Sequence, residues 1–122
     1  MENANVVVAV FPSAVRAANN DSGEQQNQYA RGAHIVIDMQ AVPGVDTVTF
    51  TLEGKDAFGN WYTILASAAL SAAAVTVLRV FPGLVAAANA AANDVIPRAW
   101  RLRAAHSAGT NFTYRATANL IL

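Results

Sequence analysis

The sequence contains no cysteine. A disulfide framework, a thiolate zinc site and a cysteine nucleophile are therefore excluded. Charge is scarce too. Asp, Glu, Lys and Arg make up 13% of the 122 residues, about half the usual share near 25%. Neither sign dominates, because eight basic residues balance eight acidic ones. That excludes a strongly basic nucleic-acid binder and an acidic disordered tail. Long apolar runs are also missing. The uncharged stretch Ala57 to Leu78 is interrupted by Asn60, Thr63, Ser67, Ser71 and Thr76, and it is rich in alanine rather than leucine. It does not read as a membrane span. Met1 to Asn5 has no basic residue, and the run Val6 to Phe11 is short for a signal peptide. The expectation is a soluble protein made in a cytoplasm.

What the chain does have is small apolar side chains. Apolar residues reach 54%, and much of the excess is alanine. A chain of this length buries about two thirds of its surface on folding, enough for one core without staples. A single domain over 1–122 is expected, with 1–30 as an extended arm, or a strand followed by a flexible loop. Low charge and neutrality favour association, so part of the surface is expected to meet other protein.

Hydrophobic periodicity is two along most of the chain. Val6 to Phe11 is a β-branched run ended by Pro12, and Asn19 to Gln28 reads as a flexible loop. A second strand spans roughly Gln28 to Gln40. Val48, Phe50 and Leu52 alternate with Thr47, Thr49, Thr51 and Glu53, a half-buried strand with a threonine face. Asp56 to Asn60 is a hairpin turn with Gly59 or Asn60 at positive φ, and Trp61 to Ala66 returns. Val75 to Phe81 is closed by Pro82-Gly83. Leu84 to Asn93 reads as a loop with at most one helical turn. Trp100, Leu102 and Ala104 face one way and Arg101 and Arg103 the other. Phe112, Tyr114 and Ala116 face inward from the last strand, Asn111 to Leu120. About seven short strands with Gly/Pro turns predict an all-β fold, an antiparallel β-sandwich of immunoglobulin-like or jelly-roll connectivity. If the last two strands form a hairpin over Ser107-Ala108-Gly109, with Gly109 left-handed, Leu102 faces Tyr114 and Arg101 faces Arg115. Opposed like charges need an acidic neighbour, in this chain or in another.

Chemistry is hard to assemble from these residues. His34 and His106 lie on separate strands without an acidic neighbour at ligand spacing. Asp38, Asp46, Asp56 and Asp94 form no calcium-loop pattern. Glu24 falls in the loop and Glu53 on the threonine face, so neither reads as half of a hydrolytic pair. Phosphate-binding and nucleophile-elbow motifs are absent. The expectation is no enzyme, no metal site and no cofactor. Phe50, Trp100, Phe112 and Tyr114 read as core. Phe58, at the hairpin tip, is either folded back on the sheet or kept for a partner. Trp61 or Tyr62 would be the stacking residue if a sugar were bound.

Charge is unevenly placed. Residues 1–60 hold seven acids (Glu2, Asp21, Glu24, Asp38, Asp46, Glu53, Asp56) and three bases, and residues 61–122 hold one acid, Asp94, and five arginines. Either the two halves interleave and neutralise each other within one chain, or they dock neighbouring subunits. In the second case Arg101, Arg103 and Arg115 would share an outer face. The alanine-rich stretch Ala86 to Ala92, with Ala88 and Ala91, would pack closely on another subunit.

The run Asp46-Thr47-Val48-Thr49-Phe50-Thr51-Leu52-Glu53-Gly54-Lys55-Asp56, then Trp61-Tyr62-Thr63-Ile64-Leu65, Val80-Phe81-Pro82-Gly83 and Ile96-Pro97-Arg98-Ala99-Trp100-Arg101-Leu102-Arg103, resembles small virion structural proteins of tailed bacteriophages. The similarity covers roughly Gly32 to Leu122 and consists of framework elements. It implies a capsid decoration or cement protein on the head, commonly a homotrimer, that bridges neighbouring subunits of the major capsid protein and stabilises the shell. Its expected place is the virion surface, after synthesis in the bacterial host cytoplasm. Nucleic acid and membrane are not expected partners. The candidate interface residues are Arg101, Arg103, Arg115, Phe58, Trp61, Ala88 and Ala91. The alternatives are a carbohydrate- or receptor-binding module of a tail appendage, or a tail or connector protein.

Overall fold

The computed structural model describes residues 5–122. It is all β, with two stacked sheets. In chain order the strands are β1 (Val6–Arg16), β2 (Asn20–Asp21), β3 (Gln25–Gln26), β4 (Gly32–Ala41), β5 (Val48–Lys55), β6 (Trp61–Ala66), β7 (Val75–Val80), β8 (Ala91–Ala92), β9 (Ala99–His106) and β10 (Phe112–Ile121). The first sheet runs β1-β10-β4-β7-β8 and the second β2-β9-β5-β6, with β3 also on β9. The sandwich is therefore present, with ten strands rather than about seven. The three extra strands have only two residues each, too short to leave a periodic pattern. No helix among the described residues is long and apolar enough to cross a membrane.

Alternation decides what is inside. Ile35, Ile37, Val48, Phe50, Leu52, Leu78, Trp100, Leu102, Phe112 and Tyr114 are all buried. Phe11, Phe50 and Tyr114 meet edge to face, with ring centroids 5.0–6.3 Å apart, an arrangement aromatic pairs favour. β1 does not stop at Pro12. It passes through it and is irregular between Ala9 and Ala14. An edge strand tolerates this, because proline's missing N–H can face away from the ladder. The segment Asn19 to Gln28 is not simply a loop, since β2 and β3 pair with β9. Leu84 to Asn93 is a hydrogen-bonded turn leading into β8, which lies parallel to β7.

The last two long strands do not form a hairpin. β9 pairs with β5 in one sheet, and β10 lies between β1 and β4 in the other. Residues 107–111 arch between sheets, and Gly109 is not among the glycines with positive φ. Inward alternation is satisfied equally by facing sheets and by paired strands, so the pattern alone does not separate the two. In consequence Arg101 never faces Arg115. Arg101 lies opposite Glu53, and Arg115 opposite Asp38.

The registers define two ends. Segments 42–47, 67–74 and 107–111 lie at one, and the turn 56–60, the segment 81–90 and the crossing 93–98 lie at the other. On one side β6 of the second sheet lies against β7 and β8 of the first. On the other side β1 is an edge whose outer side no described strand pairs.

Candidate interaction surface

Arg101 Nε donates to Glu53 Oε1 at 2.7 Å, and its Nη1 lies 3.5 Å from Asp21. Glu53 is 8% exposed, so this pair is largely desolvated. The guanidinium also lies 4.1 Å from the centroid of the Trp61 ring, and Lys55 Nζ lies 5.5 Å from it. Lys55 in turn reaches Glu24 at 2.7 Å, and that contact holds the Glu24 carboxyl below its usual range. Arg101 and Trp61 are therefore brought together in one cluster on the outer face of the second sheet, and both have neighbours within this chain. Arg115 donates to Asp38 at 2.9 Å on the outer face of the first sheet. Arg101 and Arg103 lie on the opposite face of the sandwich from Arg115, so the three share no face. Arg103 is exposed and makes no ion pair among the described residues. Two of the five second-half arginines, Arg101 and Arg115, are answered within the chain by first-half acids, Glu53 with Asp21 and Asp38.

The hairpin tip is different. Asp56 Oδ1 accepts the backbone N–H groups of Phe58 and Asn60, each at 2.8 Å, and Oδ2 accepts the Asn60 amide at 3.0 Å. These donors hold its carboxyl below the ordinary range. Gly59 takes φ 89° and closes the turn. The side chain of Phe58 stands out from this fixed frame, 92% exposed. It is not folded back on the sheet.

The alanine-rich turn lies at the same end. Gly83 has φ 95°, and its N–H donates to Asn93 Oδ1 at 2.8 Å. Ala90 and Ala91 both donate to the carbonyl of Ala87, at 3.1 and 2.9 Å, with Asn89 at φ 62° between them. Ala88 and Val85 are exposed on this braced turn, whereas Ala91 is half buried and paired with Arg79. Because β6 lies against β7 and β8, the tip and the turn flank one corner of the molecule. Phe58, Trp61 and Ala88 therefore belong to a common region, with Val85 added by the structure. Nothing in the sequence separates Val85 from an ordinary core valine.

A second polar group lies at the other end. The Tyr114 hydroxyl accepts from Asn20 Nδ2 at 2.9 Å and lies 2.9 Å from His106 Nε2. Burial first, and then the nearby Arg16 cation, push the His106 pKa below its ordinary value. Its Nδ1 is buried without a partner. No group of three or more His, Asp or Glu side chains suited to a metal ion occurs among the described residues. No protein-family model matches the chain, and no curated protein or solved structure matches it either.

Proposed function

We propose that this chain is a non-enzymatic structural subunit that docks on a protein shell through its Phe58 corner. In the role implied by its resemblance to virion proteins, it is a capsid decoration or cement protein bridging neighbouring capsid subunits. The observation that carries the reading is the fully presented Phe58 on a turn braced by Asp56. An exposed aromatic is an anchor when its partner offers a pocket, and a turn already fixed loses little entropy on docking. Val85 and Ala88, exposed on the turn at the same end, add small apolar area without charge to desolvate. Repeated over many copies, even a modest contact stabilises a shell by mass action.

The glycan-binding alternative gains less support, since the Trp61 ring has the Arg101 guanidinium 4.1 Å from its centre. The test is co-sedimentation of the purified protein with empty capsid shells. Binding by the native chain, weakened about tenfold or more by Phe58→Ala, supports the reading. No binding by the native chain, or binding unchanged in both Phe58→Ala and Ala88→Arg, overturns it.

A further inference from the structure

We infer that the outer edge of β1 pairs antiparallel with β1 of a second copy, across a two-fold axis, to make one continuous sheet. This goes beyond the docking reading and does not depend on it, because β1 and Phe58 lie on opposite sides of the molecule.

Four observations carry it. First, β1 is the terminal strand of its sheet, and no described backbone group pairs with its outer edge over Val6 to Ala9. Second, this half of the strand lacks the usual edge protection. Edge strands are normally blunted by short length, charge, proline or bulges. In β1 those devices all sit in the other half: Pro12, the irregularities from Ala9 to Ala14, and Arg16, whose guanidinium covers the Pro12 and Ala14 carbonyls. Of the other edge strands, β2, β3 and β8 are two residues long, and β6 lies against β7 and β8 of the other sheet. Third, Val6 and Val8 are on the inward face, opposite Leu120 and Ala118, yet Val6 is 50% exposed. They line a cleft of about 340 Å³ between β1, the segment Gln26 to Ala30, and Leu120 and Leu122. Val8 packs against the core, and Val6 beside it is left half covered.

Fourth, the strand is its own complement. Val6-Val7-Val8-Ala9-Val10 carries no charge, so pairing it with itself opposes no like charges. In a two-fold antiparallel pair, inward faces coincide when paired residue numbers sum to an even value. Pairing centred on Val7 or on Val8 meets this. Either register continues the sheet over the mouth of the cleft, with the second copy's Val6 and Val8 on the cleft side. A strand from another protein would need the same extended, uncharged, alternating character, and the chain already carries it.

The experiment uses the full chain. Its mass is measured by sedimentation across concentration, and single cysteines are placed at Val6, Val7, Val8 and Ala9. The native chain has no cysteine, so each introduced thiol can pair only with its own copy. The expected result is a dimer of twice the 12.8 kDa chain mass, with disulfide formation peaking sharply at one position, Val7 or Val8. A Val7→Lys, Ala9→Lys double variant changes only outward, exposed side chains and is expected to keep its far-ultraviolet spectrum. It places lysines opposite each other in either register and weakens the dimer about tenfold. A monomer at all concentrations, a flat cross-linking pattern, or a dimer indifferent to the two lysines overturns the inference. Loss of shell binding in Phe58→Ala with the dimer intact separates this contact from the docking corner.

Discussion

At Gly32 an added methyl group would meet the Val80 carbonyl oxygen and the Phe81 ring, and at Gly54 the Tyr62 ring and Pro97 Cγ at 2.6–2.7 Å. The difference is in what can yield. Tyr62 is 45% exposed and can swing outward, leaving only the edge of the Pro97 ring to give, whereas the carbonyl of a strand residue cannot move aside. Gly54→Ala is expected to cost about 1 kcal/mol and Gly32→Ala about 3 kcal/mol. Urea denaturation ranks them, and equal costs would contradict the argument. His106 sets a second expectation. Protonating it would place a charge beside Arg16, with Nδ1 still lacking an acceptor. Its folded pKa lies below the unfolded value, so the unfolded chain takes up the proton first. Its contribution to stability is therefore present above about pH 6.5 and lost as pH falls through the depressed folded value. Tyr114 mirrors this on the alkaline side. Burial raises its pKa, so stability falls once the unfolded tyrosine ionises above about pH 10. Thermal unfolding from pH 7 to 5 is expected to be flatter in His106→Phe than in the native chain. Equal slopes would remove His106 as the cause.

Among the elements, β5 depends on an unusual neighbour. Beyond β6 the chain stays beside it through Ser67, whose N–H donates to the Phe50 carbonyl while its Oγ accepts the Phe50 N–H at 2.9 Å. Ser67 is buried, so Ser67→Ala leaves a buried N–H unpaired at an expected cost of about 1–3 kcal/mol. Chemical denaturation measures it. Cross-strand ion pairs should differ by burial. Arg101→Ala strands the nearly buried Glu53, at about 2–3 kcal/mol. Arg115 is 56% exposed beside Asp38, and its removal should cost under about 1 kcal/mol. The reverse order would mean that desolvation is not what distinguishes them. Faces were legible in the sequence because alternation reports which side chains are wet. Phe50, Trp100, Leu102, Phe112 and Tyr114 needed nothing more. Pairing was not legible, since the arch after His106 and a hairpin there leave the same inward pattern. The Arg101–Glu53 and Arg115–Asp38 pairs join residues 48 and 77 apart, a separation no local spacing reports. Of the candidate surface, the turn around Asp56 and Gly59 was readable from its residue types. The exposure of Phe58 was not, because it depends on what lies beside the tip.

For the molecule as a whole, the first and last long strands are neighbours, so much of the first sheet waits for contacts across the chain. Loop closure must come before those contacts stabilise anything. Refolding is expected on the millisecond-to-second scale of sandwiches rather than in microseconds. Stopped-flow fluorescence of the buried Trp100 would show it, and microsecond folding would contradict it. The same pairing has a mechanical side. β1 and β10 are antiparallel, and Asn5 Oδ1 accepts the Leu122 N–H at 3.0 Å, so these two residues lie side by side. Tension applied through Asn5 and Leu122 would peel this pair apart one hydrogen bond after another. Load entering through the sides of the sandwich, across the strands, would be shared by many ladder bonds at once. A sandwich built this way resists force across its strands far better than force along its own chain.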